Sequence, residues 1–492
     1  MSAFPQQTTH TRDVGTQAGQ RLDATQTRQP PASIRRQPRP QGDLSDSFFF
    51  DPKLQPENFK VLNEINSRET IKVPPQAGKG TYDPASEVLF RLQSSASFLD
   101  RQQTNLKIEF ENLSDNASAQ IGEKDHPSYV LADGLNVLLD DLEVEIGEQI
   151  AEKMEEGARY YQHLLLATAN QGHYDHEANA LMKSWKYKSL LNQYNYKNTF
   201  DGIDESSTNL DFTYFADNRT ITGIVHPDNL AFFRGSRFMP LFADVVLRIK
   251  LPQAQKVMVQ NPMVLADGDA NVVGEPKYRI KSIELLAEHI FPQTELLNSV
   301  HDRIFSIPSG LSMVLDGAVD VYRRDLTKSK ENNINIQGSY SNIKDITCFA
   351  FKKGTQNDRD NVNLCPLPSL EEFTISVQTH QLGTRGGQFG LEESYANYRK
   401  AYNFLSDIGG QGMLDYERYK NEHTVLAVNT DLLPDAPAEI LQNSLSTNDR
   451  GSQINIALKV DNEDDVEDTR LLVLVSHKRI LQLKEGISRI GI

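Results

Sequence analysis

Five short segments carry residue types that could do chemistry. Gly78-Lys79-Gly80-Thr81 has the lysine and hydroxyl that close a phosphate-binding loop. Such a loop also needs a glycine five residues before the Gly-Lys pair and a helix after it, so that backbone N–H groups face the phosphates. No glycine stands there, a second glycine follows Lys79, and Tyr82-Asp83-Pro84 comes next. A turn between strands is the expected role. His173, Asp175 and His176 are metal-capable, with His126 and His163 elsewhere. Zinc wants a closed, ordered ligand set, and this Gly- and Asn-rich neighbourhood reads as a solvated loop. Asp267-Gly268-Asp269-Ala270-Asn271 starts like a calcium loop, but Val272 stands where the turn glycine belongs and Tyr278 where the bidentate glutamate belongs. The run Asp461–Asp468 reads as an acidic surface turn between two strong strands. Gly383–Gly390 holds four glycines before a helix, without the spacing of a dinucleotide fingerprint, so it reads as a loop.

Other signatures are missing. The sequence contains no G-x-S-x-G and no H-E-x-x-H, and nothing places a histidine beside Cys348 or Cys365. No cofactor or metal ligand set is expected, and the reading is of a structural protein rather than an enzyme.

The elements around these segments read mostly as strands. Leu106-Lys107-Ile108-Glu109-Phe110 alternates apolar and polar, which turns Ile108 toward a core. Further runs are Thr70–Val73, Leu142–Ile146, Leu210–Phe215, Val245–Lys250 and Tyr278–Leu286. A second series comprises Arg303–Ile307, Met313–Leu315, Ile346–Phe351, Phe373–Gln378, Val425–Val428, Ile454–Val460 and Leu471–Ser476. Helical spacing is read at Ser128–Asp140, at Gly147–Ala169 and at Leu391–Leu405, where Tyr395, Tyr398 and Tyr402 share a face. A boundary is expected near Pro292–Ser299, giving two halves that each suit an eight-stranded sandwich with large inserted loops.

Residues 1–40 differ from everything after them. They are rich in Gln, Thr, Pro and Arg, and carry six arginines against two aspartates. Such a segment cannot bury enough apolar surface to offset its ordering entropy. It reads as a flexible arm, and Phe48-Phe49-Phe50 as the point where the arm meets packed protein. Over all 492 residues the net charge is −16, which argues against generic nucleic-acid binding by the bulk of the chain. No stretch has the ~20 apolar residues of a membrane helix. The first residues lack the basic and apolar regions of a secretory leader. Two cysteines exclude a disulfide scaffold and point to a reducing compartment.

The order of segments resembles the double jelly-roll major capsid proteins of icosahedral DNA viruses, the adenovirus-hexon-like group, in its Polinton, virophage and adintovirus branch. The resemblance rests on Asp133–Gly147, on Tyr160-Tyr161 with Leu164-Leu165-Leu166, and on Thr222–His226. It continues through Phe238-Met239-Pro240-Leu241 ahead of Val245–Lys250, and through Phe305–Gly310, read as the opening strand of a second jelly roll.

It implies a mainly β chain with two tandem eight-stranded jelly rolls, short helices in the loops and a flexible N-terminal arm. The expected divisions are 1–60 for the arm, 61–295 for the first roll and 296–492 for the second. The implied function is a capsid protein whose homotrimers form pseudo-hexagonal capsomers of a virion shell, assembled inside the infected host cell. Expected partners are neighbouring capsomers, penton and minor capsid proteins, and packaged DNA or an internal membrane. The arm's Arg28, Arg35, Arg36 and Arg39 are the candidate contacts for the last two. Another jelly-roll viral structural protein, such as a minor capsid or spike protein, and a β-sandwich hydrolase are the alternatives.

Overall fold

The computed structural model describes residues 65–491 except 79, 119–124, 132–133, 148, 158–218, 236–237, 261–273, 307–310, 341, 353–365, 378–379, 383–389, 404–415, 422, 431–444, 448–452 and 485–486. The strand expected at Leu210–Phe215 and the Phe48–Phe50 segment lie outside the described residues.

The first half contributes β1 (Ile65–Val73), β2 (Glu87–Leu92), β3 (Phe98–Asn112), β4 (Asn116–Ser118), β5 (Asp125–Pro127), β6 (Tyr129–Leu131), β7 (Asp141–Ile146), β8 (Gln149–Met154), β9 (Thr220–Val225), β10 (Met239–Pro240), β11 (Val245–Lys250), β12 (Met258–Gln260) and β13 (Tyr278–Pro292). The second half contributes β14 (Leu311–Asp325), β15 (Glu331–Ile336), β16 (Ile343–Lys352), β17 (Leu370–Val377), β18 (His380–Leu382), β19 (Val425–Asn429), β20 (Ile454–Val460), β21 (Thr469–Lys484) and β22 (Ile487–Gly491).

Strand order identifies the architecture. In the first half one sheet runs β1-β13-β3, with β9 and β10 both on β3, and the other runs β2-β11-β7-β8. In the second half the sheets run β14-β21-β16-β19, with β22 added on β21, and β15-β20-β17-β18. Take the eight principal strands of each half in chain order. In both halves the first, eighth, third and sixth form one sheet, and the second, seventh, fourth and fifth form the other. That is the jelly roll, built twice, with antiparallel pairing throughout. Both rolls belong to one compact unit.

The cores follow from period-two alternation. Val245, Leu247 and Ile249 of β11 point inward, as do Ile454, Ile456, Leu458 and Val460 of β20. Ile108 is 1% exposed and sits between Gly223 of β9 and Ile283 of β13. Inward orientation of this strand agrees with its sequence.

Three expectations are corrected. Ser128–Asp140 is not a helix. Tyr129–Leu131 is a strand paired to β12, and Gly134 in extended backbone separates it from a single 3-10 turn, Leu135–Leu138. All three strand residues are buried, so the apolar run reflects burial on both faces rather than a helical stripe. The front of Gly147–Ala169 is likewise a strand. Gly147 takes φ +53°, which turns the chain sharply, and β8 returns antiparallel along β7. Residues 158–169 lie outside the described set. Finally, Arg303–Ser306 closes a helix, Thr294–Ser306, and the second roll opens with β14 instead. Leu296, Val300 and Ile304 recur every four residues, and this stripe outweighs the short alternation Arg303–Ile307. The expected helix near Leu391 is present as Leu391–Asn403. Its Tyr395 and Tyr398 pack on Tyr416 and Tyr419 of the helix Tyr416–Asn421.

Candidate functional site

Most chemistry-bearing segments resolve into turns or fall outside the described residues. Gly78 has φ +84°, its N–H donates to Pro75 O at 2.9 Å, and Tyr82 donates its hydroxyl to Gly78 O at 3.0 Å. That is a pinned turn. In the acidic run, Lys328 Nζ lies 2.7 Å from Asp464 and 3.0 Å from Glu467, and Asn462 Oδ1 accepts the Asp464 N–H. A lysine already supplies the positive charge there. Cys348 is fully buried, and burial pushes its thiol pKa up, away from thiolate reactivity. His126 sits in β5, where it pairs with Ala117 of β4. Lys79, His163, His173–His176, Asp267–Asn271, Cys365 and Gly383–Gln388 lie outside the described residues, as do Arg28, Arg35, Arg36 and Arg39. Among the described residues no group of three or more His, Cys, Asp or Glu is placed to hold a metal ion.

The charged side chains instead converge where the two rolls meet. The β7–β8 pairing passes from Val144↔Glu152 to Glu145↔Ile150, which leaves Ala151 as an extra residue. The β14–β21 pairing passes from Asp316↔Lys478 to Ala318↔His477, which leaves Gly317 as an extra residue, with φ +78°. Each bulge frees a carbonyl from its ladder. Arg479 of the second roll donates to Ala151 O at 3.0 Å, and Arg234 of the first roll donates to Gly317 O at 2.7 Å. Each roll therefore presents one bulge carbonyl to an arginine of the other.

Carboxylates compensate these cations. Glu152, 1% exposed, accepts the N–H groups of Phe232 at 2.8 Å and Ala231 at 2.9 Å, and so fixes the short helix Ala231–Arg234 that carries Arg234. Burial raises the Glu152 pKa, and those N–H groups and the two arginines oppose the rise. Arg479 also donates to Asp320 at 2.9 Å. Burial works against the Asp320 charge, but His477 and Arg479 outweigh it and hold the pKa below its usual value. At the seam's edge Arg323 of β14 lies 2.8 Å from Glu155 and 3.4 Å from Glu156 of the first roll. The arrangement can lock two sandwiches together.

The sequence signals for the seam were slight. Gly317 inside an apolar alternating run is the mark of a bulge. Nothing distinguishes Glu152, Arg234 or Arg479 from ordinary surface charges.

No protein-family profile matches the chain, and no curated protein matches it in sequence. Solved structures do resemble it. A chain of the Sputnik virophage, solved by cryo-EM, aligns with a TM-score of 0.55 at 10% identity, over 88% of this chain and 89% of that one. PBCV-1 VP54, a crystal structure fitted into a reconstruction of the virophage Sputnik, aligns at 0.52 and 12% identity, over 88% and 98%. The chain has the double jelly-roll fold. A chain of the PBCV-1 virus capsid shares it at a TM-score of 0.50 and 13% identity, over 88% and 99%.

Proposed function

We propose that this double jelly-roll chain is a major capsid protein of an icosahedral DNA virus. Three copies form a pseudo-hexagonal capsomer, and capsomers tile the shell of the virion. The single observation that carries the reading is the pair of rolls with identical strand order, joined through reciprocal arginine-to-bulge contacts. A capsomer of three such chains presents six similar barrels. The likeness to a chain of the PBCV-1 virus capsid over most of both chains supports it. Closed symmetric oligomers are the norm for soluble self-associating proteins, and net negative charge keeps unassembled capsomers soluble.

In this reading residues 61–295 and 296–492 are the two rolls and residues 1–60 are an arm. Arg28, Arg35, Arg36 and Arg39 face neighbouring capsomers, packaged DNA or an internal membrane. Penton and minor capsid proteins complete the shell.

Solution mass and negative-stain images of the purified chain test the reading. A trimer with hexagonal outlines is expected, and a stable monomer overturns it. Deletion of residues 1–40 leaves the trimer intact and impairs shell formation. Loss of soluble trimer on that deletion overturns the assignment of the arm.

A further inference from the structure

Beside the seam, three side chains from separate segments meet. Asp140 immediately precedes β7, Lys256 lies in the short helix Ala254–Val257, and Glu156 follows β8. Lys256 Nζ is hydrogen-bonded to Asp140 Oδ2 and lies 3.0 Å from Glu156 Oε2. The Asp140 side chain is 3% exposed and that of Glu156 10%. Asp140 Oδ1 is buried and makes no hydrogen bond among the described residues. The backbone holds the trio in place, since Gly157 N–H donates to Asp140 O at 2.8 Å. A Cβ at residue 157 would stand 2.8 Å from Asn229 Nδ2 and 3.1 Å from Asp140 O, so glycine permits this approach.

An amine held against a buried carboxyl, with a second carboxyl beside both, has the parts for amide formation. We propose that Lys256 and Asp140 are joined by an intramolecular isopeptide bond, with Glu156 as the proton carrier. Glu156 takes a proton from the Lys256 ammonium, and the freed Nζ lone pair attacks Asp140 Cγ. Glu156 hands that first proton to the Asp140 oxygen that leaves, and after attack a second Nζ proton passes through Glu156 to the same oxygen. A C–N bond forms, a C–O bond breaks and one water departs. Of the three ammonium protons one stays on the amide nitrogen and two leave in the water, so no oxidant, activating group or other reactant is required. Holding the reacting atoms in contact replaces a bimolecular encounter.

The electrostatics of the trio favour the acid partner and oppose the free amine. Burial pushes the Asp140 pKa up to about 6, against the pull of Lys256 and with the help of Glu156, so the carboxylic acid that must be attacked is accessible near neutrality. Burial works against the Lys256 ammonium, but the two carboxylates outweigh it and hold its pKa up. The amine is therefore released only by direct proton transfer to a neighbour such as Glu156. The bond staples two segments 116 residues apart in sequence, and cross-links across long loops restrict the unfolded chain most. The inference concerns this trio alone and does not depend on the capsid reading.

The test is the intact mass of the full-length chain, purified folded and then denatured. The wild-type chain is expected to be lighter by one water, and digestion is expected to yield one branched peptide joining Asp140 to Lys256. Lys256→Arg keeps the positive charge but offers no nucleophilic amine, so its mass is expected to be complete. Glu156→Gln is expected to remain unlinked while circular dichroism shows the native fold. A wild-type chain of full mass overturns the proposal, as does a water loss mapped to other residues. Linking in Glu156→Gln at the wild-type extent overturns the role of Glu156.

Discussion

The four-stranded sheets of the two rolls share their strand order and differ in what they show to the outside. On β2-β11-β7-β8 the outward face carries charges paired across strands, with Leu89, Val246 and Ile150 among them. Arg248 bonds Glu87, lies 2.7 Å from Glu145 and 3.1 Å from Glu143, while Arg91 pairs with Asp244. On β15-β20-β17-β18 charge gathers at one end, around a shallow depression lined by Glu331, Glu372 and Lys459. Asn333, Thr374 and Ala457 also line it, and beyond it lie Asn335, Asn455 and Ser376. An inward pattern of aliphatics is enough to specify the sandwich, and it leaves the outward positions free to diverge. Burying the first face would mean desolvating a network of ions. Burying the second would require partners for its amides and hydroxyls, and would desolvate charge only at the end that carries Glu331, Glu372 and Lys459. The two faces are therefore not interchangeable as contact surfaces, although the barrels beneath them are built alike.

The largest expected effect tests the likeness of the cores. Ile108→Asp in β3 and Ile346→Asp in its counterpart β16 each bury an unpaired carboxylate at a position 1% exposed or less. Each should destabilise by about 4 kcal/mol or more, seen as loss of soluble protein or of the cooperative thermal transition. A normally folded variant in one roll only would break the equivalence.

Next come changes at the seam. Arg479→Met removes the donor to Ala151 O and leaves Asp320 less compensated, at a cost of about 2–3 kcal/mol. Gly317→Ala forces a side chain to φ +78°, at a cost of about 1 kcal/mol. Calorimetry of either variant should show one unfolding transition separating into two, one for each roll.

A smaller effect sharpens the contrast of the outer faces. Arg248→Met should lower stability by about 1 kcal/mol, and the difference from wild type should shrink in high salt. Asn333→Ala on the other sheet should leave the salt dependence of the melting temperature unchanged. The smallest effect concerns pH. The hydrogen bond from Lys153, with Arg323 beside it, holds the Glu155 pKa below the usual carboxylate value. Between its folded and unfolded pKa the native chain binds fewer protons. Its contribution is complete above the ordinary range and fades as pH falls through the folded value. Glu155→Gln should therefore flatten the acid limb of a stability profile measured from neutral pH downward.

Much of the fold was legible. The runs Val245–Lys250 and Ile454–Val460 coincide with β11 and β20 residue for residue, because each alternates and is rich in branched aliphatics. β15 was missed. Its Glu-Asn-Asn-Ile-Asn-Ile sequence alternates, but asparagine is a poor strand former, and Asn332 fills an inward position where a hydrophobe is expected. The structure explains it: Asn332 donates to Thr327 O and Ser329 O and accepts from Thr327 N–H and its hydroxyl. These bonds close a local turn, Thr327 to Asn332, in which a buried asparagine takes the place of a strand hydrophobe. The helix read at Ser128–Asp140 failed where burial on both faces erased the difference between the two periods, and the front of Gly147–Ala169 failed at Gly147, whose positive φ starts a hairpin. The seam was the least legible part, since its acceptors are main-chain atoms that every residue carries.

That choice of acceptor has a consequence for how the protein can change. A carbonyl is the same whatever side chain stands beside it, so drift at Ala151 in residue type is tolerated so long as the new side chain fits. The contact is set by an extra residue in the strand, which makes it a measure of length. Deleting one residue from β8 would restore a regular ladder and withdraw the acceptor from Arg479. Insertions and deletions in β8 and β14, rather than replacements, are the changes to which the union of the two rolls is most exposed.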